Sequence, residues 1–279
     1  MKFPKTDFIT RLKKSKGILI LGHRGCRKSD VFENTLPAFR KAFDAGADGI
    51  EIDVETALDG RLVVINRWFA NKTFGFFPCE RELETIQAYG MEKGIAVPTF
   101  DEVCELIIIY PDSIFNVEIK SCDRLLCRTA KQVGRCINRF GIGHQVIVSS
   151  FDMNALITMK IGFPGIETAY LFRAEDRVVE LKEKGTLKYI VNGFINRSGI
   201  KAVLTCSDTL HPEIKLIDEN RLSAWQKYAE LTSKRINCWT VDSEADFRKA
   251  ASIGADIVIS DNPEKTVDYR SRLKNDTGF

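Results

Sequence analysis

At 279 residues the chain fits one large α/β barrel or two smaller domains, and 44% apolar with 28% charged residues is ordinary for a globular protein with a substantial core. A net charge of +3 spread along the chain, with no block of like charge, argues against a nucleic-acid surface. The basic residues 1–16 lack the apolar centre of a signal peptide, and no apolar stretch is long enough to span a bilayer. Eight cysteines without a C-x-x-C pair read as reduced thiols rather than zinc ligands, so a cytoplasmic protein is expected.

Short apolar runs alternate with longer amphipathic segments almost to the end. "GILILGHRG" reads as a strand, and "TLPAFRKAFDAGA" as a helix through the spacing of Leu36, Phe39 and Phe43. "GIEIDVE" and "RLVVIN" are expected as strands, then the helix "TFDEVCELIIIY" with Thr99 as N-cap ahead of Glu102. "IFNVEIKS" is a strand, "DRLLCRTAKQVGRCINRFG" a helix ending at Gly141, "QVIVSSFD" a strand and "MNALITMKIG" a helix. "IETAYLF" and "DRVVELKEKG" repeat the pair; residues 186–199 give no clear pattern, and "IKAVLTCS" reads as another buried strand. The helix "ENRLSAWQKYAELTSK", the strand "INCWTVDS", the helix "EADFRKAASIGA", the strand "DIVISDNP" and the helix "PEKTVDYRSRL" complete the series.

Such alternation favours a parallel sheet, and about eight repeats in roughly 250 residues favour a closed β/α barrel over an open sheet. No Gly-rich fingerprint follows the first strand, which argues against dinucleotide binding. With no linker or low-complexity segment, one domain is expected over residues 1–279. The segment at 67–98, rich in Phe and Trp, is expected to fold over the pocket mouth as a hydrophobic lid or a packing interface.

Barrel chemistry gathers where the strands end at their C-termini. Here those ends give His23-Arg24, Glu51 with Asp53, Asn66-Arg67, Glu118 with Lys120, Ser149 to Asp152, Trp239 and Asp261. Solvation alone makes barrel rims polar, so the spacing matters more than the count. Glu51 and Asp53 are two apart and share a strand face, as do Glu118 and Lys120. Three carboxylates converging near one cation form an oxygen site suited to Mg²⁺ or Ca²⁺; a Glu–Lys ion pair with solvated neighbours is the plain alternative. His23 offers a proton-transfer group and Arg24 a planar fork for phosphate. Together they describe a metal-dependent enzyme acting on a phosphate ester.

These residues also carry a family resemblance. "GHRG", "ENTLPAFRKAFDAGADGIEIDVETALDGRLVVI", "VPTFDEV", "NVEIK", "VSSF", "CWTVD" and "GADIVISDNP" resemble, in order over about residues 18–265, the motifs of the glycerophosphodiester phosphodiesterase family. The resemblance implies a TIM (β/α)₈ barrel of the PLC-like phosphodiesterase type. It implies hydrolysis of a small-molecule glycerophosphodiester to glycerol 3-phosphate and an alcohol, within lipid and glycerol metabolism. By the same resemblance Glu51, Asp53 and Glu118 would hold the divalent metal and His23 would be one of two catalytic histidines. Arg24 and Lys120 would hold the phosphate, Glu33 would support the site, and Phe151 and Trp239 would line the pocket for the glycerol or alcohol part; the alternative for both is an ordinary packed aromatic, as good a reading for Phe151.

One position departs from the family. Its second histidine, usually in "HD" after the "DG" turn, is here Asn66, followed by Arg67. An amide has no usable pKa near neutrality and cannot shuttle a proton, a loss of ~10²–10⁴-fold in rate. Arg67 is expected to strengthen anion binding there. Of the other histidines, His144 belongs to the opposite rim, and His211 is the low-ranked substitute for the missing acid, expected on a loop of the catalytic face. An active phosphodiesterase and a catalytically impaired relative that binds a phosphodiester or metal as a sensor both remain open. A sphingomyelinase-D-like phospholipase fits less well, since no exposed apolar loop or basic membrane patch is evident. No expectation about oligomeric state arises.

Overall fold

The computed structural model describes residues 7–120, 127–173, 203–217 and 222–277. The strands among them are β1 (Leu19–His23), β2 (Gly49–Thr56), β3 (Leu62–Val64), β4 (Ile114–Ile119), β5 (Val146–Ser150), β6 (Glu167–Phe172), β7 (Thr209–Pro212), β8 (Arg235–Trp239) and β9 (Ile257–Ser260). Strand pairing runs β1-β9-β8-β7-β6-β5-β4-β2, and β1 pairs with β2, so these eight parallel strands close into a TIM-type barrel.

The helices, numbered along the described chain, are α1 (Asp7–Lys16), α2 (Leu36–Asp44), α3 (Arg67–Phe74), α4 (Leu83–Glu92), α5 (Phe100–Ile109), α6 (Arg128–Phe140), α7 (Met153–Gly162), α8 (Leu222–Thr232), α9 (Glu244–Ser252) and α10 (Pro263–Thr277). Local chemistry starts and stops them. The Thr99 hydroxyl accepts the Glu102 N–H while Glu102 accepts the Thr99 N–H, the capping box expected for α5. α6 ends at Gly141 in the left-handed region (φ 71°). None of the described helices is long and apolar enough to cross a membrane.

Alternation along β2 divides the protein into layers. Ile50, Ile52 and Val54 point outward and pack with Phe39, Phe100, Val103 and Phe115, all fully buried. Each such side chain contributes roughly 1.5–3 kcal/mol by leaving water. Glu51 and Asp53 lie on the opposite face, toward the barrel interior. At the N-terminal end of the barrel, Phe8, Ile9 and Leu12 of α1 pack on Leu19, Ile114, Ile147 and Ile257 and close the floor. His144 meets Phe8 edge-on there, with ring centroids 5.5 Å apart, at the rim opposite the carboxylates.

Two strand expectations need correction. Residues 62–64 do not join the parallel series: β3 runs antiparallel to β2, with Glu55 opposite Val63. Only residues 57–61 separate the strands, whereas a parallel crossover needs roughly a dozen residues. Gly60 (φ 85°) follows Asp59 in a tight hairpin turn. The run "IKAVLTCS" is not a strand over its described part: Val203 to Cys206 make a helical turn, and the strand is the next segment, Thr209–Pro212. Leu210 packs outward on Leu156, Tyr170 and Phe172 while Thr209 and His211 bond to the neighbouring strands β6 and β8, so the strand lacks a continuous apolar signal. The expected helix 176–185 and the stretch 186–199 lie outside the described residues.

No residue of the segment 67–98 is among those lining the cavity at the strand ends. Phe74, Phe76, Leu83, Ile86, Ile95 and Val97 form a separate small core with Ala57, Val63 and Ile65, and Phe69 packs against it. Trp68 is exposed and meets Phe77 edge-on. This is the packing alternative.

Candidate active site

β1 ends in a tight turn. The Gly25 N–H donates to the Gly22 carbonyl at 3.1 Å, with Arg24 at φ 54° and Gly25 at φ 85°. A Cβ on Gly22 would stand 2.0 Å from the Gly25 carbonyl oxygen, so only glycine permits this closure. The left-handed conformation costs Arg24 about 1–2 kcal/mol, and it turns the residue inward. Its backbone N–H donates to Glu51 at 3.0 Å, and its guanidinium donates to Glu33 at 2.7 Å and forms an ion pair with Asp53 at 2.8 Å. Glu33 also accepts from Arg27 at 2.9 Å.

His23 stands beside this turn. Its Nδ1 lies 2.5 Å from Asp261 at the end of β9, and its Nε2 is 3.8 Å from Glu51. An ionised carboxylate only accepts, so this contact places the neutral ring's proton on Nδ1 and leaves the Nε2 lone pair facing Glu51. Burial would raise the Asp261 carboxyl, but the His23 hydrogen bond and the charges of Arg27 and Lys28 hold it below the usual carboxylate range.

Glu51, Asp53 and Glu118 each bring a carboxylate oxygen within 4.8 Å of the others. Parallel pairing sets this: β2 and β4 align Asp53 opposite Glu118, and the period of two adds Glu51 to the same face. Lys120 Nζ sits 3.0 Å from Asp53 and 2.5 Å from Glu118. Burial opposes its charge, but Asp53 and Glu118 together raise its pKa. Burial also works against the Asp53 carboxylate, and Arg24 and Lys120 outweigh it, so that carboxyl stays ionised. Asn34 supports it from both sides: Nδ2 donates to Asp53, and Oδ1 accepts the Asp53 N–H, each at 3.0 Å.

Glu51 differs from its neighbours. Burial, then Asp53 and Glu118, push its carboxyl well above the ordinary value, and its Oε1 is buried with no hydrogen-bond partner. A bare carboxylate oxygen beside two further carboxylates is the donor chemistry that hard divalent cations take. The residues present therefore fit a divalent metal.

Asn66 lies 3% exposed beside this cluster, with its Nδ2 donating to Asp53 at 3.0 Å. Its Oδ1 accepts the N–H groups of Trp68 and Phe69, so the side chain is the N-cap of α3. The expectation for Arg67 is corrected: its guanidinium is bound in bidentate fashion to the buried Glu55, at 2.6 and 2.9 Å, rather than offered to an anion. The expectation for His211 is corrected too. It is a residue of β7, 1% exposed, with Nε2 2.8 Å from the Asn237 amide nitrogen, and it does not line the cavity. Burial and the nearby Arg235 push its pKa down to about 3.

A cavity of about 310 Å³ opens at this end of the barrel. His23, Arg24, Glu51, Glu118, Lys120, Phe151 and Trp239 line it, and the fully buried Asp53 lies behind them. Phe151 and Trp239 meet edge-on, with centroids 5.7 Å apart, and the indole N–H donates to the His211 carbonyl. Sequence reasoning assigned no role to Asn34, Arg27, Arg173, Glu213 or Lys215. Asn34 adjoins Glu33 in the "ENT" motif, and Arg173 directly follows the apolar run of β6 and is open to the strand-end reading. Glu213 and Lys215 were hidden by the misplacement of β7.

The glycerophosphoryl diester phosphodiesterase family, compared as a sequence model, matches residues 23–265. A glycerophosphodiester phosphodiesterase of Caldanaerobacter subterraneus subsp. tengcongensis is 30% identical over 258 residues, covering 89% of this chain and 96% of its own. The structure of a glycerophosphodiester phosphodiesterase from Parabacteroides distasonis superposes with a TM-score of 0.72 at 21% identity, covering 92% of this chain and 99% of that one. An Oleispira antarctica phosphodiesterase, solved in complex with the product sn-glycerol-3-phosphate, gives 0.69 at 21% identity over 91% of this chain and 96% of that one.

Proposed function

Because the chain belongs to the glycerophosphoryl diester phosphodiesterase family, we propose that it hydrolyses glycerophosphodiesters to glycerol 3-phosphate and an alcohol, with Glu51, Asp53 and Glu118 holding Mg²⁺ or Ca²⁺. The observation that carries this reading is the convergence of those carboxylates on one cavity with His23, Arg24 and Lys120. Glu51, Asp53 and Glu118 face two cations, Arg24 and Lys120, which leaves one negative charge; a divalent ion turns it into one positive charge, matched to a phosphodiester monoanion. When bound, such an ion polarises the phosphoryl oxygens and offsets the charge that develops on them.

The protein's own groups supply the rest. His23 Nε2 accepts the proton of the glycerol hydroxyl next to the phosphate as that oxygen attacks phosphorus. Asp261 keeps the ring in the tautomer this needs and stabilises the imidazolium. Arg24 and Lys120, fixed by Glu33, Asp53 and Glu118, hold the phosphate oxygens. The bond from phosphorus to the alcohol breaks and the departing oxygen takes a proton from water; the hydroxide so formed opens the cyclic phosphate while the His23 imidazolium returns its proton to the glycerol oxygen that leaves. Asn66 has no proton to give the departing alcohol, so turnover is slower than with a second imidazole, by ~10²-fold or more.

Purified protein incubated with Mg²⁺ or Ca²⁺ and glycerophosphoglycerol, glycerophosphocholine or glycerophosphoethanolamine tests the reading. Slow release of glycerol 3-phosphate is expected, lost on chelation and in Glu51→Ala. Intact binding of the diesters with no release by wild type would instead support the impaired, ligand-binding relative.

A further inference from the structure

We propose that the outer part of the cavity is a second anion subsite, built on Arg173 and Lys215, and that the substrate's alcohol carries a phosphate of its own. The inference rests on the phosphodiesterase reading above and names the substrate class within it.

Arg173 directly follows β6 and is half-buried at the cavity wall. Its guanidinium carbon lies 4.2 Å from the centre of the Phe151 ring and 6.0 Å from that of Trp239. Exposed aromatic faces are what recognise a quaternary ammonium. Here a guanidinium already covers that wall, and a choline would meet a like charge in its place. The ring contact holds the guanidinium through its charge and uses none of its N–H donors. Those donors stay in the plane, free to grip a phosphate in bidentate fashion.

The charges around the cavity support the same assignment. Arg24 is paired with Glu33 and Asp53, and Arg27 with Glu33 and Asp261. Among the described residues Arg173 has no carboxylate partner. Lys215 stands on a single 3₁₀ turn, Ile214–Leu216, just after β7, and reaches Glu213 only at 3.8 Å with its own side chain 76% exposed. An ion pair so long and so exposed contributes little. Among the described residues, the inner cavity sets Glu51, Asp53 and Glu118 against Arg24 and Lys120, while the outer wall carries Arg173 and Lys215 against Glu213. A diester with a single phosphate uses only the inner set. A second phosphate on the alcohol would meet both outer cations. The cavity volume is at the small end of ligand pockets, roughly 300–1,000 Å³, which suits a deacylated, polar diester.

Glycerophosphoglycerol and glycerophosphoglycerol phosphate differ only by that terminal phosphate, so the pair isolates the subsite. Both, with glycerophosphocholine as a third substrate, are assayed for kcat and KM and for calorimetric binding, in wild type, Arg173→Gln and Lys215→Gln. The phosphorylated diester is expected to have a kcat/KM about tenfold or more above the other two, arising in KM and shrinking with added salt. Arg173→Gln should reduce kcat/KM for it by about tenfold more than for glycerophosphoglycerol, and Lys215→Gln should act in the same direction more weakly. Equal kcat/KM for all three substrates, or an equal loss for all three in Arg173→Gln, would overturn the subsite while leaving the phosphodiesterase reading intact. Should no diester turn over, tighter binding of the phosphorylated one, lost in Arg173→Gln, would uphold the subsite and refute the phosphodiesterase reading; equal binding would refute the subsite as well.

Discussion

Asn66 carries two duties that an imidazole cannot take over together. Its oxygen caps α3 through Trp68 and Phe69, and its nitrogen donates to Asp53. Restoring the family's histidine by Asn66→His therefore trades one property for another. Release of glycerol 3-phosphate should rise, because a proton donor returns, while stability falls by about 1 kcal/mol through loss of the cap. Turnover and urea unfolding of the same variant check both halves, and a variant that is less stable yet no faster would remove this position from proton transfer. At this scale the strand-end residues His23, Glu51, Asp53, Glu118 and Lys120 were legible, since their two-residue spacing depends only on the local period of a strand. The partners of Asn66 and Arg67 were not, because Glu55 meets Arg67 only through a hairpin that periodicity does not reveal.

At the scale of elements, legibility followed which strand faces are apolar. β2 and β4 send apolar side chains outward in unbroken alternation, and β5 does so at Val146 and Val148; each was placed within a residue or two. Toward β6, β7 and β8 the inward positions turn polar: Glu167 bonds Thr209 and pairs with Arg235, and His211 meets Asn237. β6 is nonetheless legible to within a residue, and only β7, four residues long, is placed too early. The aromatic segment after Arg67 leaves two readings open, because apolar composition cannot distinguish a lid from a small core beside β3. A substitution separates the two. Phe74→Ala removes a ring 8% exposed from that core and should cost about 3–5 kcal/mol in urea unfolding. Since no residue of 67–98 lines the cavity, KM for glycerophosphoglycerol should stay within about twofold at a temperature where the variant is folded. A large rise in KM with native-like stability would restore the lid.

Across the whole molecule the barrel interior is unevenly filled. Its floor on the β1, β4 and β9 side is aliphatic and closed by α1, whereas the β6–β8 side is polar. A polar interior is stable only while its members keep the protonation states that suit one another. His211 is the member most sensitive to pH, held neutral by burial and by Arg235 with its pKa down to about 3, against about 6.5 in an unfolded chain. Below pH 6.5 the unfolded chain binds a proton that the folded one refuses, so the slope of unfolding free energy with pH is positive there. Stability is lost as pH falls from about 6.5 toward 3, by up to ~1.4 kcal/mol per pH unit from this group. His211→Gln removes the titrating ring and keeps an amide beside Asn237, so it should flatten this part of the profile even if it lowers stability at pH 7. Urea unfolding at pH 7, 6, 5 and 4, with chelator present so that the carboxylate cluster titrates alike in both proteins, measures the difference. Parallel profiles would mean that the folded protein admits a charged His211, and that the β6–β8 side of the barrel is wetter than its hydrogen bonds imply.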